Sequence, residues 1–163
     1  MKPLSSHILT DAEKRDICGW RYPGEYAVYD LPPYEVMAQQ KISFMNPLRE
    51  GNFLAFCEGE TLVGFVNIRE AGDEVSIGIG VRPDCCGMGF GQRILKETCR
   101  IAGARHPGKT LSLEVRTWNE RAIRCYRKAG FVIDGEAREL AAPGGISLFY
   151  RMVKREHGER DAI

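Results

Sequence analysis

Several features that would assign a role at once are missing from this chain. No long apolar run occurs, and residues 1–20 carry Asp11, Glu13, Lys14, Arg15 and Asp16. Neither a membrane span nor a secretory leader is therefore expected, which points to the cytoplasm and to no membrane partner. Lys plus Arg number 23 against 22 Asp plus Glu, a net charge of +1. That is too little to hold nucleic acid or an anionic membrane by bulk electrostatics. There is no Cys-x-x-Cys pair and the three histidines lie far apart in sequence, so no metal is expected. Internal repeats, low-complexity tracts and linkers are absent too.

What remains is an ordinary globular composition. A length of 163 residues with 44% hydrophobic content suffices for one domain, 1–163, that buries its own core. The six cysteines, Cys18, Cys57, Cys85, Cys86, Cys99 and Cys125, are expected as free thiols, since no leader takes them to an oxidising compartment. The adjacent Cys85 and Cys86 read as two small side chains in a tight loop.

Along the chain, residues 10–18 suggest a short helix capped by Thr10 or Asp11, with Ala12, Ile17 and Cys18 inward. An aromatic loop, Trp20 to Tyr26, leads to Pro32-Pro33 and a helix of about Tyr34 to Phe44. Phe53 to Glu58 and Thr61 to Glu70 read as a hairpin, and Asp73 to Val81 as the next strand. A helix from Gly89 to Gly103 turns Ile94, Leu95, Thr98, Cys99 and Ala102 to one face and Arg93, Lys96, Glu97 and Arg100 to the other. Leu111 to Val115 is a strand and Asn119 to Ala129 a helix. Phe131 to Glu139 and Ile146 to Lys154 form a last hairpin, and residues 155–163 a loose polar tail.

The chemistry concentrates between the strand ending at Val81 and the helix after it. Gly87, Gly89 and Gly91 leave a loop nearly free of side chains, where backbone N–H groups and a helix N-terminus can converge on one phosphate. Glycines serve turns and close packing as well. The loop lacks the Gly-Lys-Ser/Thr ending of an NTPase loop and the Gly-x-Gly-x-x-Gly spacing of dinucleotide folds.

Val81-x-Pro83-x-x-x-Gly87-x-Gly89-x-Gly91 is followed by a second motif at a matching separation. It reads Leu113-x-Val115-x-x-x-Asn119-x-x-Ala122-x-x-x-Tyr126-x-x-x-Gly130-Phe131. Together they resemble the GNAT superfamily of acyl-CoA-dependent N-acetyltransferases, sharply from about Glu74 to Phe131 and more loosely elsewhere. One departure is Cys86, where the family often carries Arg or Gln. The resemblance implies an α/β (α+β) fold, with a mixed, mostly antiparallel sheet and helices on both faces. It implies acetyl-CoA as cosubstrate, with residues 1–50 on the acceptor side and 51–154 supplying the sheet and the acetyl-CoA site.

Site roles follow from the same resemblance. Gly87, Met88, Gly89, Phe90, Gly91 and Gln92 would hold the pyrophosphate. Ile79, Gly80 and Val81 would bind the pantetheine arm at a strand bulge and polarise the thioester. Asn119 and Tyr126 share a helix face with Ala122 between them. Asn119 is a cofactor contact as well as a candidate N-cap, and Tyr126 a cofactor contact as well as the candidate general acid. A phenol, with a reference pKa of about 10, stays protonated at neutral pH yet can serve a departing thiolate.

Glu114, in a segment similar to the ribosomal-protein N-terminal (alanine) acetyltransferases, is the candidate base. A surface glutamate pairing with Arg116 or another neighbour is the competing role, and Glu74 is the reserve. Arg121, Arg124 and Lys128 form a basic stripe, either a solvated face or a contact for the CoA 3′-phosphate. Trp20, Tyr22, Tyr26, Tyr29 and Tyr34 are core or acceptor lining. The expected activity is direct transfer of acetyl from acetyl-CoA to a primary amine in a ternary complex, by a monomer or homodimer. The acceptor would be a protein N-terminus or a small-molecule amine. A CoA-binding sensor without turnover and a nucleotide-binding protein are the alternatives.

Overall fold

The computed structural model describes residues 2–155. The expected loose tail thus lies, except for Arg155, outside the described residues. The chain divides into two compact units, one of Met1–Asn67 with Ile79–Ile94, the other of Ile68–Gly78 with Leu95–Ile163.

The first unit begins with strand β1 (Leu4–Ile8) and helix α1 (Asp11–Cys18). Thr10 caps α1 through a complete capping box: its Oγ1 accepts from Glu13 N at 3.2 Å, and Glu13 Oε1 accepts from Thr10 N at 2.9 Å. Ile17 and Cys18 of α1 are buried as expected, but Ala12 is exposed. Helix α2 (Tyr34–Gln40) is shorter than the expected Tyr34–Phe44. Lys41 takes a left-handed conformation, φ 52°, and Ser43 another, φ 54°. The chain therefore leaves the helix and drops Phe44 into the core from a separate 3-10 turn, Ser43–Met45.

Strands β2 (Phe53–Glu58) and β3 (Thr61–Ala71) form the expected hairpin. β1, which the sequence did not reveal, pairs antiparallel along the outer edge of β2. Trp20, Met37, Phe44 and Phe53 are buried here, and Phe65 packs against them. Phe44 meets Phe53 edge-on with ring centroids 5.7 Å apart. Each such ring removed from water contributes about 1.5–3 kcal/mol. Trp20, offered above as acceptor lining or core, is core, 6% exposed.

Strand β4 (Glu74–Val81) and helix α3 (Phe90–Arg105) each contribute residues to both units, as β3 does. Ile94, Leu95, Thr98 and Ala102 of α3 are fully buried, the face that the periodicity indicated. Desolvation pushes the Cys99 thiol on that helix up to about 11.

The second unit contains strands β5 (Thr110–Arg116), β6 (Phe131–Ile133), β7 (Arg138–Ala142) and β8 (Gly145–Lys154), with helix α4 (Glu120–Lys128). β4 pairs parallel with β5 through Glu74–Ser76, and β8 pairs antiparallel with β5, β6 and β7. The expected strand Phe131 to Glu139 is two strands, interrupted where Gly135 adopts φ 80°. The whole set is a mixed, mostly antiparallel eight-stranded arrangement in the order β1-β2-β3-β4-β5-β8-β6, with β7 on β8.

Candidate functional site

Within the first unit, the end of β4 is fixed before the glycine loop begins. Tyr22 Oη donates to the Val81 carbonyl at 2.6 Å, and Arg82 N donates to Val63 O at 2.8 Å. The Arg82 guanidinium donates to Leu62 O and to Asp16, each at 2.6 Å. Gly80 lies so close to Phe65 that a Cβ there would sit 2.5 Å from the ring, and a Cβ at Gly64 would sit 2.7 Å from Gly80 O. Both glycines are needed for that approach. The anchors Tyr22 and Asp16 lie far upstream in sequence, and no local pattern marks them as partners of this strand.

The loop that follows is built from backbone. Gly87 has φ 78° and Gly89 φ 85°, values that L side chains rarely adopt. A Cβ at either would project into open space, with nothing within 4 Å. α3 starts next, its first bond running from Arg93 N to Gly89 O at 3.3 Å. The first-turn amides of Phe90, Gly91 and Gln92 thus precede the first residue with an intrahelical acceptor. Gly87, Met88 and Gln92 are exposed, whereas the Phe90 ring is buried, so Phe90 can offer a ligand only its backbone.

Arg93 is bound to Glu58 at 2.8 Å and to Lys2 O at 2.6 Å. Cys86 itself turns its Sγ toward Arg82 O at 3.5 Å. A loop of this kind fits a phosphate held by main-chain donors.

Within the second unit, Asn119 is 7% exposed and its Oδ1 accepts from Ala122 N at 3.1 Å, capping α4. Tyr126 is half-buried on the same helix. Glu114 is exposed on β5, directly opposite Arg151 of β8 in the register. Its ion pair is with Arg138 at 3.5 Å. Arg116, named above as its competing partner, is buried and donates to Ser147 Oγ at 2.7 Å and over Phe149. Glu74 is paired with Arg151, which also holds Asp134, and accepts from Ser112 Oγ at 3.5 Å. Both candidate bases thus face a guanidinium, Glu74 that of Arg151 and Glu114 that of Arg138.

Among the described residues the β4–β5 ladder ends at Ser76 and Ser112, well before β4 ends at Val81. Arg121, Arg124 and Lys128 are all exposed, and Arg124 lies 4.0 Å from Glu120.

Comparison with known proteins gives a consistent result. The N-alpha-acetyltransferase RimI of Mycobacterium tuberculosis (strain ATCC 25618 / H37Rv) is 35% identical over 107 residues, 62% of this chain and 63% of that protein. The match therefore spans less than two thirds of that relative's length. A spermidine N-acetyltransferase SpeG chimera from Vibrio cholerae and hSSAT superposes with a TM-score of 0.74 at 18% identity, over 98% of this chain and 99% of that one. The ribosomal-protein-S18-alanine N-acetyltransferase of Escherichia coli gives a TM-score of 0.65 at 19% identity, over 93% and 92%. At such identities the two structures establish a shared fold. The Acetyltransferase (GNAT) family model covers residues 15–131, most of the chain including both motifs, and the chain accordingly belongs to the GNAT acetyltransferase family.

Proposed function

We propose that the protein transfers an acetyl group from acetyl-CoA to a primary amine, by direct attack in a ternary complex. The observation that carries this is the glycine-rich loop Gly87–Gly91, with two left-handed glycines leading into α3, in a chain of this family. Bound acetyl-CoA supplies the activated thioester. The amides of Gly87 to Gln92 bind its pyrophosphate, and Asn119 and Tyr126 contact its arm. Backbone groups of Ile79, Gly80 and Val81 orient the thioester, one N–H donating to its carbonyl oxygen. A donor of that kind contributes roughly 3 kcal/mol to transition-state stabilisation. Tyr126 Oη protonates the leaving thiolate, and Glu114 accepts the amine proton through water.

We take the acceptor to be a protein N-terminus, on the strength of the 35% identity to an N-alpha-acetyltransferase. An α-amine with a pKa near 8 needs only about 1 kcal/mol to deprotonate at pH 7, against roughly 4–5 for a lysine. A partly exposed carboxylate such as Glu114 suffices for that step. We place the protein in the cytoplasm as a single acetyltransferase domain. Among the described residues no helix is long and apolar enough to cross a membrane. The test is acetyl-CoA turnover on N-terminal peptides, polyamines and free amino acids in parallel. Peptide acetylation at the α-amine is the expected result; turnover confined to polyamines would reassign the acceptor. Binding of acetyl-CoA without turnover on any amine would make the protein a sensor.

A further inference from the structure

Three residues in the first unit, from three different elements, bring together an imidazole, a carboxylate and a thiol. His7 on β1, Glu13 on α1 and Cys57 on β2 place their ligand atoms all within 4.8 Å of one another. Glu13 Oε2 is the shared atom, 2.8 Å from His7 Nε2 and 3.9 Å from Cys57 Sγ. We propose that these three residues bind one divalent cation of borderline softness, with Zn²⁺ the ion they suit.

The geometry supports coordination beyond an ordinary surface ion pair. In a tetrahedral site with Zn–N and Zn–O near 2.1 Å and Zn–S near 2.3 Å, ligand atoms lie roughly 3.4–3.6 Å apart. The two separations that Glu13 Oε2 makes, 2.8 and 3.9 Å, bracket that range, and His7 and Cys57 lie within 4.8 Å of each other, so small side-chain shifts would seat the ion. The carboxylate is already oriented: its other oxygen accepts from Thr10 N at 2.9 Å as half of the α1 capping box, and His7 Nε2 lies 2.9 Å from that oxygen too. That bond plays the part that outer-shell partners play for metal ligands. Cys57 is held on β2 beside the register shift between Phe56 and Cys57, and is 7% exposed.

The His7 side chain faces solvent. An ion can thus reach the cluster from the His7 side and keep a water as fourth ligand. Thiolate with imidazole selects Zn²⁺ or Co²⁺ over Mg²⁺ or Ca²⁺. On binding, the Cys57 S–H bond breaks, the Sγ–metal bond forms, and one proton passes to solvent.

The test is titration of the reduced, full-length protein with Co²⁺, followed through thiolate-to-cobalt charge-transfer absorption. One Co²⁺ per chain is expected, displaced by one equivalent of Zn²⁺. Cys57→Ser should abolish the charge-transfer band although five of the six cysteines remain. His7→Ala alters an exposed side chain, so folding should survive, and it should weaken Zn²⁺ binding at least tenfold. No charge-transfer band in the wild type would overturn the proposal, as would a band that survives Cys57→Ser. If Cys57→Ser does not fold, His7→Ala decides: unchanged Zn²⁺ affinity would overturn the proposal, and the tenfold loss would sustain it.

Discussion

Helices α1 and α3 begin in opposite ways, although both starts lie in the first unit. At α1 the orphan amides are met by the chain's own side chains, Thr10 and Glu13 closing a reciprocal box. At α3 the equivalent position is Gly89, which has no side chain to offer, and Gly87, two residues before it, has none either. A helix start that satisfies itself contributes stability. One stripped of side chains leaves its donors and its positive dipole end to a ligand. The second unit holds a middle case in α4, where Asn119 supplies a one-sided cap and Tyr126 lies further along the same helix.

The largest effect that would break this contrast is Gly89→Val. A β-branched residue at φ 85° is strained and would fill the space above the loop amides. Acetyl-CoA binding by calorimetry should fall by more than a hundredfold in a protein whose circular dichroism is unchanged. Retained affinity in a folded variant would mean that α3 starts bare for packing reasons alone.

Next in size is Tyr126→Phe, which removes one hydroxyl. Acetyl-CoA should still bind while turnover drops about 10²-fold. Near-normal turnover would assign Tyr126 to packing and leave α4 as structural as α1.

A smaller change sharpens the comparison from the other side. Cys86→Arg places a cation beside a loop that relies on main-chain donors, and should tighten CoA about fivefold, ~1 kcal/mol, as a charge-assisted contact. Equal or weaker binding would show that the amides already satisfy the phosphate.

The smallest expected effect is Thr10→Ala. It should cost about 1 kcal/mol of unfolding free energy in denaturant titration and leave CoA affinity untouched. A change in CoA affinity would show that the start of α1 is more than a self-satisfied cap.

Much of this was legible in the residues, for definite reasons. The β2–β3 hairpin, β4, the buried face of α3, β5 and α4 are local patterns: alternation, helical period and capping residues read over one short window each. The glycine loop was legible because its glycines recur at alternate positions, and positive φ at Gly87 and Gly89 is a local backbone reason for them. The elements that went unread are those in which a distant partner supplies the reason. β1 is an edge strand with burial only at Leu4, so it shows no alternation, and its hydrogen bonds come from β2.

The end of α2 is similar. Nothing in Gln39-Gln40-Lys41 signals a stop, yet Lys41 turns left-handed so that Phe44 reaches Phe53 and Phe65.

The sequence by itself determined the fold class, the family and the place of the glycine loop, because two motifs with fixed spacing express local backbone requirements. Only the tertiary structure decided which side chains are already committed. Tyr22 holds Val81, Arg93 is drawn to Glu58, Glu74 is locked to Arg151, and Glu114 meets Arg138 rather than Arg116. The same holds for the meeting of His7, Glu13 and Cys57. Such partnerships depend on the register between strands and on which faces pack together, and those are properties of the assembled chain that no short window of sequence contains.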